Sequence, residues 1–179
     1  MSTTSTTLSA AASPRTEQII LFRSSTQIFA ISSGSVQEVR SVDSLAGSAS
    51  ELNDSSVKKV RHVLRRTDRT LYVVNAALHF GLRPSPAALI FLLRRSRAAL
   101  LVDGIEKMTT MTRLQSLPPA FCNEERLWYR GLTVLDHNVI PVVNPLGFLT
   151  DEELAELDAI ANPVAPDTVA LGNESGLGL

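Results

Sequence analysis

The chain has 179 residues, enough for one domain, or two small joined lobes, that buries about two thirds of its unfolded surface without covalent staples. A single cysteine, Cys122, excludes an intramolecular disulfide and a Cys-based zinc cluster. His62, His79 and His137 lack ligand spacing, so no metal and no cofactor are expected. The net charge of −1 hides an asymmetry: Lys58 to Arg97 is strongly basic, whereas the stretch from Asp151 onward holds seven acidic residues and no Lys or Arg. That pattern points to an acidic partner for the middle, to docking of the acidic end on the basic face, or to an ordinary solvated surface.

No apolar run approaches the ~18 residues of a membrane helix, and the N-terminus lacks the basic-then-apolar build of a signal peptide. A cytoplasmic protein without membrane insertion is expected. Residues 1–16 are Ser, Thr and Ala with little apolar surface to offset ordering entropy, so a disordered tail is expected there. The folded part is expected over 17–160. Within it, Glu17 to Val42 reads as two or three short strands, with a turn at Ser24–Gln27 and a serine-rich corner at Gly34. Val36 and Glu38, two apart, are placed on one face of their strand and Val39 on the other.

Residues 43–59 read as a polar loop. Strands at 61–65 and 70–74 follow, joined near Thr67-Asp68, then one helical turn capped by Asn75 and stopped by Gly81. Pro84 and Pro86 mark an expected break between lobes at 83–87. Beyond them, 87–95 and 97–108 read as strands meeting at Arg95-Ser96, and 126–149 holds two more around Asp136-His137-Asn138. A helix is expected from Asp151, with Thr150 as cap and Leu154, Leu157 and Ile160 on one face. Residues 161–179, with two prolines and three glycines, are expected to form a flexible tail.

Candidate chemistry is sparse. No nucleophile elbow or glycine-rich phosphate loop is present. Asp103 and Glu106, three apart on a strand, would face opposite sides and not converge as an acid–base pair. The arginines could meet phosphates, but only Tyr72 and Phe80 accompany them as stacking surfaces, and aromatics make up 5% of the chain. A nucleic-acid-binding β-barrel is therefore the least favoured reading.

The order of several segments resembles the CheW-like domains, the coupling proteins of bacterial chemotaxis. They are Ile19 to Val39, then ALLVDGIEKM at 99–108, LPPAF at 117–121, RGL at 130–132 and NVIPVVNPLGFLTDEELAELD at 138–158. The resemblance implies an all-β fold of two small five-stranded SH3-like barrels packed together, with short helices including a C-terminal one. It implies no catalysis and no cofactor. The function it implies is an adaptor between the CheA-like regulatory domain of a histidine kinase and the cytoplasmic tip of a methyl-accepting chemoreceptor. Asp103-Gly104 then belongs to a continuing strand or bulge at a barrel corner. Val36 and Glu38, with Arg65 or Arg66, are the implied partner contacts. Where the family reads Asn-Leu-Arg-Gly, this chain has Leu64-Arg65-Arg66-Thr67. That departure favours the alternative of a divergent CheW-like module in another kinase pathway, such as pilus motility or gene regulation, without receptor coupling.

Overall fold

The computed structural model describes residues 16–53 and 55–163. The expected tails therefore lie outside the described residues, apart from Thr16 and the stretch 161–163. Eleven strands dominate the rest. β1 (Glu17–Ser24) and β2 (Gln27–Ser32) form a hairpin, and a 3-10 turn at Ser33–Ser35 leads to β3 (Val36–Ser41). The stretch 43–59 is not all loop. A 3-10 turn (Val42–Leu45) precedes a short strand, β4 (Ala49–Glu51), which pairs with β5 (Val60–Arg65). β6 (Thr70–Asn75) runs into α1 (Ala76–His79), where Asn75 Oδ1 accepts from Leu78 N at 3.1 Å and Gly81 takes φ +67°. Both ends of that short helix follow the expected capping chemistry.

Next come β7 (Leu89–Leu93), β8 (Ala98–Val102) and β9 (Gly104–Met111). α2 (Asn123–Trp128), which the sequence reading passed over, precedes β10 (Tyr129–Leu135) and β11 (Asn138–Val143). The β10–β11 turn has positive φ at Asp136 (50°) and His137 (66°), the left-handed pair that a tight hairpin demands. α3 (Asp151–Ala161) closes the fold with a capping box between Thr150 and Glu153.

The strands assemble into two curved sheets, ordered β10-β11-β2-β1-β9 and β3-β7-β8-β6-β5-β4. The fold is all-β, with a sixth strand, β4, in the second sheet, and neither ladder closes on itself by strand pairing. The lobes do not divide at 83–87. Pro84 and Pro86 lie between α1 and β7, inside the chain that builds sheet two, and the prolines only bar a strand ladder there. The chain changes sheets at Ser33–Ser35 and at Asp103.

Asp103 explains that second crossing. Its backbone N–H donates to Arg23 O at 2.9 Å. Its carboxylate accepts from Ser25 N at 2.7 Å and from the Ser85 hydroxyl. The side chain thus ties the β1–β2 turn and the proline segment to the corner where β8 becomes β9. Glu106 points elsewhere, pairing with Arg23 at 3.4 Å.

Three apolar clusters follow from this layout. Ile19, Leu21, Ala30, Ile140 and Val142 fill the hollow of sheet one, and Leu64, Leu71, Val73, Ile90 and Leu92 that of sheet two. The largest cluster lies between the lobes and includes Phe22, Phe29, Phe91, Leu100 and Phe148. β1 is therefore apolar on both faces: Ile19 and Leu21 look into one core, Ile20 and Phe22 into the other. At one end of sheet one, Gln115 N donates to Leu132 O at 2.7 Å and Leu132 N donates back at 2.9 Å, drawing the segment after β9 onto β10. Gly131 permits this approach, since a Cβ there would sit 2.3 Å from Gln115 O.

Candidate partner-binding surface

β3 is the edge of sheet two, and its register decides which side chains it presents. Val36 pairs with Leu93 and Glu38 with Leu92, so Gln37 is an extra residue in a β-bulge. Successive residues of β7 face opposite sides: Leu93 belongs to the inter-lobe core and Leu92 to the hollow of sheet two. The bulge therefore separates Val36 from Glu38, which the unbroken alternation had placed on one face. Val36 is 8% exposed and is a core residue, whereas Val39, opposite Phe91, is 39% exposed.

Glu38 lies at the centre of an ion network. Its Oε1 accepts from Arg40 Nε at 2.6 Å and its Oε2 from Arg66 Nη1 at 3.2 Å. Arg40, then Arg66, hold the Glu38 carboxyl below its ordinary range, and Glu38 in turn raises Arg40. Beside this network Arg69, from the β5–β6 turn, donates to the Gln37 side chain and at 3.2 Å to Leu93 O. These contacts join the two ends of the sheet-two ladder by side chains, β3 at one end and the β5–β6 hairpin near the other.

The two candidate arginines part company. Arg66 shares the patch with Glu38. Arg65 donates from Nη2 to Ala161 O at the end of α3, which gives it a structural task. The structure thus brings Glu38 and Arg66 together, buries Val36, and turns Arg65 to the terminal helix.

α3 takes up part of the charge asymmetry. Lys59 Nζ lies 2.8 Å from Glu153 Oε1, and Glu156 accepts from Ser56 N at 2.8 Å and from Ser56 Oγ at 2.7 Å. Asp158 receives Arg97 through two nitrogens at 2.7 and 2.5 Å and the Tyr72 hydroxyl at 2.5 Å. Arg97 also lies 5.2 Å from the Tyr72 ring centroid. Arg97, then the Tyr72 hydroxyl, lower the Asp158 pKa, and burial with the adjacent Asp158 pushes Tyr72 up to about 12. Two cations of the basic stretch, Lys59 and Arg97, are thus paired with the acidic helix.

Among the exposed apolar side chains, those on the edge strands β3 and β9 carried no emphasis in the sequence pattern. Ile105 and Met108 on β9 pair with Phe22 and Ile20, so they sit on the inter-lobe side of sheet one, yet they are 39% and 63% exposed. With Val39 they show that an edge strand of each sheet carries apolar side chains beyond the cover of the opposing lobe. An apolar residue among Glu, Lys and Thr, as Met108 is in EKMTTM, was the available signal. Among the described residues, no group of three His, Cys, Asp or Glu side chains is placed to hold a metal, and no helix is long and apolar enough to cross a membrane.

A two-lobed all-β body, with uncovered apolar side chains on an edge strand of each sheet and an ion network on one of those strands, has the form of a protein-binding module. A family model described as the CheW-like domain matches residues 18–153, and the chain belongs to that family. A solved structure, the scaffolding protein TtCheW from Thermoanaerobacter tengcongensis, is similar with a TM-score of 0.64 at 14% identity, over 76% of this chain and 90% of that one. No curated protein matches the chain significantly.

Proposed function

We propose that the protein is a non-catalytic cytoplasmic scaffold of chemotaxis-type signalling. In this reading it couples the CheA-like regulatory domain of a histidine kinase to the cytoplasmic tip of a methyl-accepting chemoreceptor. The observation that carries the reading is the CheW-like family match across 18–153. The uncovered edges at Val39, Ile105 and Met108 and the Glu38–Arg66 network support it, because apolar side chains beside a polar rim are what a reversible protein contact needs. Scaffolding of this kind requires two affinities and no reaction. The test is affinity capture of the full chain from its own cells: a multidomain histidine kinase recovered together with a chemoreceptor is expected. Recovery of neither would overturn the reading.

The Leu64-Arg65-Arg66-Thr67 sequence supports a second reading, a module of a pilus-motility or gene-regulation kinase pathway. Capture of a kinase without any chemoreceptor would select it. A nucleic-acid role draws little support, since Tyr72 is buried against Asp158 and Phe80 is stacked on Phe29 at 4.3 Å and on Tyr129 at 5.6 Å. Neither ring in the basic region is free to stack on a base.

A further inference from the structure

The open end of sheet two holds a cavity of about 280 Å³. Val73, Leu78 and Leu101 form its apolar lining, and Lys59, Arg61 and His62 lie at its rim. Lys59 is engaged by Glu153. Arg61 is exposed and, among the described residues, has no carboxylate within ion-pair distance, while the only acid opposite it in the ladder is Glu51, across from His62. The cavity lies beside Arg61 at the start of β5, whereas Arg66 follows the end of that strand, so roughly 17 Å separates the two sites.

The same sheet already shows what such a combination receives. α3 lays Leu157 and Ala161 on the inter-lobe core while Glu153 and Asp158 reach Lys59 and Arg97. An apolar floor with a cation beside it is matched there by an acidic, apolar segment. We propose that the open end of sheet two is a docking site for a short acidic-apolar segment of a partner polypeptide. One apolar side chain enters over Val73 and Leu101, and a neighbouring carboxylate pairs with Arg61. The volume lies near the lower limit of ordinary ligand sites, which suits one or two side chains rather than a whole helix. Kinase or receptor coupling is not required for this site to work.

Fluorescence anisotropy on the full chain tests it, with a labelled, terminally blocked hexapeptide Glu-Leu-Glu-Glu-Phe-Glu as probe. Two controls replace every Glu by Gln, or Leu and Phe by Ser. The acidic-apolar probe is expected to bind at least tenfold tighter than either control. Arg61→Glu is expected to weaken it at least tenfold with an unchanged melting temperature. Leu78→Arg fills the cavity while adding positive charge, and is also expected to weaken binding, which separates docking from general attraction to a basic surface. Equal binding of the three peptides, or undiminished binding to Arg61→Glu, would overturn the proposal. A tenfold gain in probe affinity on Asp167→Asn/Glu174→Gln would overturn it too, by showing that the chain's own acidic segment occupies the cavity.

Discussion

Glu38 and Arg66, 28 residues apart in sequence, meet at 3.2 Å and bind the edge strand β3 to the β5–β6 hairpin. Both side chains are about one third exposed, so the pair is screened and its loss should cost less than about 1 kcal/mol. Glu38→Lys places a third cation beside Arg40 and Arg66, and a modest fall in melting temperature is expected. Combining it with Arg66→Glu restores opposite charges between positions 38 and 66 and should recover part of that stability, with Arg40 still facing the new lysine. Partner capture separates stability from recognition: the double variant is expected to remain about tenfold weaker, because the charges it presents outward are reversed. Full recovery of capture would show that the pair serves folding alone.

Val36 and Val39 give the sharpest contrast on β3. Val36→Ala removes two methyl groups from the inter-lobe core and should cost about 1–2 kcal/mol in chemical denaturation. Val39→Asp changes an exposed edge side chain and should leave the denaturation midpoint nearly unmoved while weakening capture. The opposite ranking would mean that the bulge at Gln37 is misplaced.

That bulge marks the limit of what the sequence discloses. Features written in a few adjacent residues were legible: the Asn75 cap and Gly81 stop around α1, the Thr150–Glu153 capping box, and the turn at Asp136-His137. Strand alternation was legible as well, but an inserted residue shifts it silently, and nothing local in Val36-Gln37-Glu38 announces the shift. β4 was hidden because Ala49, Ser50 and Glu51 have little strand propensity and are strand only through pairing with β5. The membership of each sheet depends on pairings such as β1 with β9, about 90 residues apart. In the site, Arg65 and Arg66 were indistinguishable in sequence and are separated by the end of β5: Arg65, its last residue, reaches α3, and Arg66, in the turn that follows, reaches Glu38.

Asp103 should behave as a corner post. Asp103→Ala leaves the Ser25 N–H and the Ser85 hydroxyl without their acceptor, and a loss of about 1–3 kcal/mol is expected in urea denaturation. A neutral result would mean that water replaces the carboxylate and that the crossing between sheets needs no tether.

Gly131 is expected to be intolerant. Gly131→Ala puts a methyl group 2.3 Å from Gln115 O, with backbone rather than a flexible side chain in the way. Either the Gln115–Leu132 bridge opens or β10 shifts. Faster amide exchange at Leu132, together with a lower melting temperature, is the expected outcome. Unchanged exchange would show that β10 absorbs the methyl group elsewhere.

His79 sets the acid sensitivity of the fold. The ring is 4% exposed, neither nitrogen has a hydrogen-bond partner, and Phe80, Trp128 and Phe148 pack around it with centroids at 4.9, 4.7 and 5.1 Å. Burial, and to a lesser degree nearby Lys59, push its pKa down to about 3 from 6.5. Below 6.5 the unfolded chain takes up a proton at this position that the folded chain refuses. Stability therefore falls as pH drops from 6.5 toward 3, at up to about 1.4 kcal/mol per pH unit. Between pH 7 and pH 5 the loss should reach about 2 kcal/mol. The carboxylates Glu17, Glu38 and Asp158, all held low by arginines, lose their contribution only at lower pH and stay out of this window. His79→Leu keeps the site filled and apolar but removes the titrating ring. Denaturation of the native chain and of this variant at pH 7 and pH 5 is the measurement: the native chain should lose stability across the interval, and the variant should lose markedly less. Equal losses in the two proteins would place the acid sensitivity in another group and contradict the burial of a neutral, unpartnered imidazole.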